Sequence, residues 1–187
     1  MGRAVRLVLV FGWAGLFVAI SFGVRARWEG FSVPSASMQP ALLPGDYILV
    51  DKSVRSPIRG DLIVFHDPND DEQLLVKRVI GLGGEDIHVV GDQVFVGCAP
   101  ATAGCQPLAE PYADFSATSV APERGGDWHI PSDSYFVMAD NRNAGEDSRH
   151  WGTLRWGHIV GRPIRIYWSR DPVTRSIRWD RVGRSLS

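Results

Sequence analysis

The sequence is short of cysteine, of charge of one sign and of helical pattern. Its 187 residues carry a formal net charge of -1, so no global positive field argues for a nucleic-acid partner. The five histidines, His66, His88, His129, His150 and His158, are scattered and form no HExxH pair. There is no G-x-S-x-G elbow. Histidines spread in this way over a β domain read as surface or capping residues, although a Ser-His-Asp triad built from distant positions stays open. Only two cysteines occur, Cys98 and Cys105. A zinc site wants four ligands, and the usual C-x2-C spacing is missing, so neither a metal nor a cofactor is expected. The residues between them, APATAG, read as a loop that a disulfide can close, with two unrelated thiols as the alternative. A disulfide implies an oxidising compartment, which puts the bulk of the chain outside the cytoplasm. Internal repeats are also absent.

What the sequence does have begins with one long apolar run. Leu7 to Val24 reads LVLVFGWAGLFVAISFGV, without a charge. As a helix it would be about 27 Å long, close to a hydrocarbon core of about 30 Å, and flanking arginines can snorkel to cover the rest. It reads as a transmembrane anchor. A cleavable signal peptide is the alternative, against which stand the length of the run and the bulky valine in Val24-Arg25-Ala26. Arg3, Arg6 and the amino terminus precede the span, while Arg25 and Arg27, partly offset by Glu29, follow it. The balance leans toward a cytoplasmic N-terminus. The expected organisation is therefore a cytoplasmic segment 1–6, an anchor 7–24 and an extracytoplasmic domain 25–187.

Beyond residue 30 the apolar runs are short and rich in Val and Ile: YILV, DLIVF, LLVKRVIGL, DIHVVGDQVFV, SYFVMAD and HIVGRPIRIYW. Turn signals separate them, among them Pro44-Gly45-Asp46, Gly83-Gly84 and Gly91-Asp92. This pattern predicts a mainly β, antiparallel-sheet domain, with a hairpin at VVGDQVFV. Residues 97–131, rich in Pro, Ala, Gly and Ser, read as an insertion or small subdomain carrying the cysteine pair.

Two stretches carry candidate chemistry. FSVPSASMQPALLPGDYILVDK, residues 31–52, packs three serines into its first seven positions and runs straight into a strand. In LLVKRVIGL, Lys77 lies on a strand face between Leu75 and Val79. A lysine there is either an edge-strand guard against aggregation or a group in an apolar site. Burial disfavours the ammonium form, and a neutral amine can serve as general base toward a serine.

PSASMQP resembles the nucleophile box of the type I signal peptidases, Ser/Lys endopeptidases that remove signal peptides from exported proteins. Pro34, Ser35, Ala36, Ser37, Met38 and Pro40 match its pattern. LVKRVIGLGGE resembles the family's lysine box, and ADNRNAGEDSRHWG, residues 139–152, its Gly-Asp-Asn-Arg to Asp-Ser-Arg box. PGDYILVDK, RGDLIVF and the tail IRWDRVGRS are similar too, while residues 97–131 are unmatched apart from the cysteine loop. The resemblance implies Ser37 as nucleophile and Lys77 as general base, with the Ser37 N–H and the Ser35 hydroxyl as oxyanion hole. It implies substrate contacts from Phe31, Val33, Pro34, Met38, Leu42, Leu75 and Val76, with the peptide added as a strand and Ala admitted one and three positions before the cut. Arg78, Asp140, Arg142, Asp147, Ser148 and Arg149 would support the site, through Asp140–Arg78 and Asp147–Arg149 pairs. Ala139 stands where the family has Gly. Gly145 stands where many members have a serine that orients the lysine. The implied setting is the bacterial cytoplasmic membrane, with a single span, a monomeric extracytoplasmic enzyme, signal peptides and membrane lipid as partners, and Trp28, Trp168 and Trp179 facing the interface, Trp168 alternatively in the core.

Two other classes compete. A self-cleaving Ser/Lys repressor would need a DNA-binding module where residues 1–30 carry an apolar span. A non-catalytic membrane-anchored β adaptor explains the anchor and strands but not the three boxes together.

Overall fold

A computed structural model describes residues 27–54, 56–116 and 125–186. The expected segment 1–6 and anchor 7–24 lie outside the described residues, as do residues 117–124 of the 97–131 stretch. Among the described residues no helix is long and apolar enough to cross a membrane.

The described residues form ten strands and one short helix: β1 (Trp28–Ser32), β2 (Asp46–Asp51), β3 (Leu62–Asp67), β4 (Asp70–Gly81), β5 (Asp86–Val90), β6 (Gln93–Val96), β7 (Gly126–His129), β8 (Ser134–Met138), α1 (Ser148–Trp151), β9 (Leu154–Arg155) and β10 (Ile159–Ser169). They build a seven-stranded sheet in the order β1-β2-β10-β3-β4-β8-β9 and a three-stranded sheet in the order β6-β5-β7. The strand pairings between named elements are antiparallel.

Alternation decides which face each strand buries. In β2, Asp46, Ile48 and Val50 are buried while Tyr47 is exposed. Leu62 to Phe65 of β3 are buried without alternation, because core lies on both faces of this central strand. Long β10 couples the halves of the large sheet, pairing with β2 through Arg162–Ser169 and with β3 through Ile159 and Gly161. Its ladder is interrupted near Pro163, which has no N–H to give. Gly161 allows a close crossing, since a Cβ there would lie 2.5 Å from the Asp51 carbonyl oxygen.

Three strands escape the apolar-run reading, the two-residue β9 paired with β8 among them. WEGFS of β1 lacks a strong strand pattern and is held by its register on β2. GDWH of β7, inside the 97–131 stretch, forms by pairing with β5. The β3–β4 hairpin also reaches further than its apolar residues, with Asp67 opposite Asp70 across Pro68-Asn69.

Candidate active site

The serine loop joins β1 to β2. Its ends are zipped by Val33 N–H to the Asp46 carbonyl and Gly45 N–H to the Val33 carbonyl, both at 2.8 Å. Between them the chain makes a turn in which Leu42 N–H donates to the Met38 carbonyl at 2.8 Å. That spacing puts both side chains on one side, and both are buried in the core with Val33 and Ile48. Leu42 therefore anchors the loop from beneath and lines neither cleft described below. Phe31 also packs against this core and lies outside both linings.

The loop is locked from the C-terminal end of the chain. Buried Asp46 accepts from Leu43 N–H at 2.8 Å, Ser169 Oγ at 2.6 Å and Arg181 Nη2 at 2.6 Å. Arg181 Nη2 donates also to the Ala41 carbonyl at 2.9 Å. Burial alone would raise the Asp46 carboxyl, but these hydrogen bonds and the Arg181 charge hold it below its ordinary value.

With the loop fixed, Ser37 Oγ lies 3.0 Å from Lys77 Nζ and 3.2 Å from Ser35 Oγ. Lys77 is 3% exposed, so the edge-guard reading of this lysine does not hold. Burial lowers its pKa; Asp147, Asp67 and Asp140 oppose the shift, and Arg149 adds to it.

Arg78, next along β4, chelates buried Asp140 through Nε at 2.7 Å and Nη2 at 2.6 Å and donates to the Gly60 carbonyl at 2.7 Å. Asp147 caps α1, accepts from Ala139 N–H at 2.9 Å and pairs with Arg149 Nη2 at 2.9 Å. Burial would raise this carboxyl, but hydrogen bonding with His150, Arg149 and the Ala139 amide, with the Arg149 charge, holds it well below the usual range. Ser148 Oγ accepts from Val137 N–H at 2.9 Å, and Arg149 Nη2 donates to the Arg142 carbonyl at 2.9 Å. Arg142 itself pairs with Glu110. The 139–152 stretch is thus pinned to β8 and to itself, and it carries Gly145 over Ser37 and Lys77. Gly145 has φ +96°, and a Cβ there would lie 3.1 Å from Ser37 Cβ and 3.6 Å from Lys77 Nζ.

Two clefts flank Ser37. The smaller, about 100 Å³, is lined by Val33, Pro34, Met38, Leu75 and Val76 among others, five of the expected substrate contacts. The larger, about 390 Å³, adds Asp67, Gly145 and Glu146 on the far side. Both reach Ser35, Ser37, Gln73 and Lys77. Residues 70–77 of β4 pair only with β3 among the described residues, which leaves a strand edge open beside the clefts.

Cys98 and Cys105 are joined by a disulfide, with Cα atoms 5.9 Å apart. Among the described residues no group of His, Cys, Asp and Glu is arranged to hold a metal ion. The sequence reading overlooked Asp46, Arg181, Glu110 and Asn141. Arg181 lay in the recognised tail and Asn141 in the recognised box. Glu110 sits in a segment without motif and carries no sequence signal.

Residues 4–168 match the family model described as signal peptidase, peptidase S26, so the chain is a hydrolase of the serine endopeptidase class. A signal peptidase I of Leptolyngbya laminosa is 36% identical over 173 residues, spanning 86% of this chain and 78% of that protein. Signal peptidase I V of Bacillus subtilis is 35% identical over 154 residues, spanning 73% and 84%, and signal peptidase I of Pseudomonas aeruginosa is 30% identical over 202 residues, spanning 83% and 70%. The chain belongs to the bacterial type I signal peptidases.

Proposed function

We propose that this chain cleaves signal peptides from exported preproteins after small residues, with Ser37 as nucleophile and Lys77 as general base. The observation that carries the reading is a buried lysine whose Nζ lies 3.0 Å from the hydroxyl of a loop serine. Burial favours the neutral amine, which accepts the Ser37 proton as Oγ bonds to the scissile carbonyl carbon. The oxyanion is held by the Ser37 N–H and the Ser35 hydroxyl, each worth about 3 kcal/mol when aimed at the developing charge. Protonated Lys77 then gives its proton to the leaving amine, which departs as the new N-terminus of the mature protein. Lys77, neutral again, deprotonates the water that attacks the acyl-enzyme, and the signal peptide leaves with a free carboxylate.

The open edge of β4 offers backbone partners to an extended peptide, and the small cleft beside Ser37 has room for small side chains, in keeping with Ala one and three positions before the cut. Residues 7–24 anchor the enzyme as a single span in the bacterial cytoplasmic membrane, with a monomeric catalytic domain on the extracytoplasmic side, where the Cys98–Cys105 disulfide is stable. Trp179, 68% exposed and edge-on to Trp168, suits the lipid interface, with Trp28 beside Arg27 as a second contact. The test is processing of a preprotein in detergent, read by mobility shift. Ser37→Ala and Lys77→Ala should each abolish cleavage while the fold persists. Processing by either variant contradicts the mechanism.

A further inference from the structure

The 97–131 stretch has no role in this mechanism, yet part of it is held firmly against the box that grips the serine loop. Leu108 N–H donates to the Val94 carbonyl at 2.7 Å, seating the segment on β6. Two residues later the Glu110 carboxylate takes Arg142 Nη1 at 2.9 Å and Nη2 at 2.5 Å, with the side chains 7% and 2% exposed. The Tyr112 hydroxyl donates to Glu110 Oε1 at 3.2 Å, and the Arg78 guanidinium lies 4.1 Å from the centre of the Tyr112 ring. Asp114 N–H donates to the Asp140 carbonyl at 2.7 Å, and Arg142 N–H to the Asp114 carbonyl at 2.8 Å, so the segment straddles Asn141.

Asn141 is the link to the nucleophile. Its N–H donates to the Ser37 carbonyl at 3.0 Å and its Nδ2 to the Ala36 carbonyl at 3.4 Å. The Ala36 carbonyl and the Ser37 N–H share one rigid peptide plane. Asn141 thus holds the peptide planes on both sides of Ser37, more tightly at the Ser37 carbonyl, and so biases the direction of the N–H that faces the oxyanion.

We propose that Glu110 is a positioning residue for this reaction, acting through Arg142 and Asn141 on the Ala36–Ser37 peptide. The proposal rests on the reading of Ser37 as nucleophile. Glu110 lines neither cleft. Without its carboxylate the buried Arg142 guanidinium lacks its counter-charge and must shift, carrying Asn141 with it. A misplacement of about 1 Å at a reacting group can cost about a hundredfold in rate.

The experiment measures kcat, KM and melting temperature for the parent enzyme, Glu110→Gln, Glu110→Asp, a Glu110→Leu/Arg142→Leu double variant and Ser37→Ala, on one preprotein in detergent. Folded Glu110→Gln and the double variant should lose about 10–100-fold in kcat with KM within about threefold, and Glu110→Asp should recover part of the loss. A folded Glu110→Gln enzyme with kcat within twofold of the parent overturns the proposal. Unfolding of both Glu110→Gln and the double variant also overturns it, because the pair would then build the fold rather than aim the nucleophile. Cleavage by Ser37→Ala would instead sink the underlying reading of Ser37, whatever Glu110 does.

Discussion

In the proposed mechanism, Lys77 trades stability for reactivity. Its burial lowers its pKa, so between that value and the ordinary value of 10.5 the unfolded chain binds more protons than the folded one. Stability should therefore rise with pH across this window, and the penalty should be complete below the depressed pKa and gone above 10.5. Each unit of depression costs about 1.4 kcal/mol. Lys77→Met should be inactive but melt higher than the parent, with a gap that widens as pH falls through the window; equal melting curves at every pH would contradict a buried, desolvated lysine. The rate should climb with pH as Lys77 loses its proton, on a limb lying below the ordinary lysine range. Gly145 makes a second residue-scale case. Its φ of +96° strains any side chain, and the nearest atom a Cβ would meet is Ser37 Cβ at 3.1 Å. Gly145→Ser should keep kcat/KM within about tenfold, at most roughly 1.4 kcal/mol in the barrier, while losing about 1–2 kcal/mol of stability. Gly145→Leu should lose far more activity, because its side chain enters the Lys77 site; full activity of the Leu variant would remove Gly145 from the dyad.

Among the elements, the serine loop depends on a partner far along the chain. Arg181 and Asp46, both buried, are 135 residues apart in sequence. Arg181→Ala takes the nearest cation from the buried Asp46 carboxylate but leaves it Leu43 N–H, Ser169 Oγ and Arg178 at 3.7 Å, and should cost about 1–3 kcal/mol, read as a fall in the denaturation midpoint, whereas a surface pair would cost about 0–1 kcal/mol. This separation marks what the sequence allowed to be read. Ser37, Lys77 and the 139–152 box were legible because each sits in a short motif, and the central strands were legible because Val and Ile runs end at turn residues. β1 and β7 were not, since WEGFS and GDWH are strands only by pairing with β2 and β5. The resemblance implies Leu42 as a substrate contact, but the turn closed by Leu42 N–H on the Met38 carbonyl points it into the core beside Met38. Glu110 escaped notice because its partner Arg142 lies 32 residues away across a segment with no motif.

At the scale of the whole molecule, the proposed function puts the domain on the oxidising side of a membrane. Protease added to intact spheroplasts should digest it, and non-reducing mass spectrometry should recover the Cys98 and Cys105 peptides as one linked pair; full protection from protease would reverse the topology. The sheets exist, on this account, to bring a loop serine from one end of the chain against a strand lysine 40 residues later, with the 139–152 box clamped over both. The most direct measurement of that claim is covalent labelling with a serine-reactive penem, located by intact mass and peptide mapping. A single adduct should appear on Ser37 in the parent enzyme and be absent from both folded Ser37→Ala and folded Lys77→Ala. An adduct on another residue, or labelling at the parent rate in folded Lys77→Ala, would contradict the Ser37–Lys77 pair as the catalytic centre.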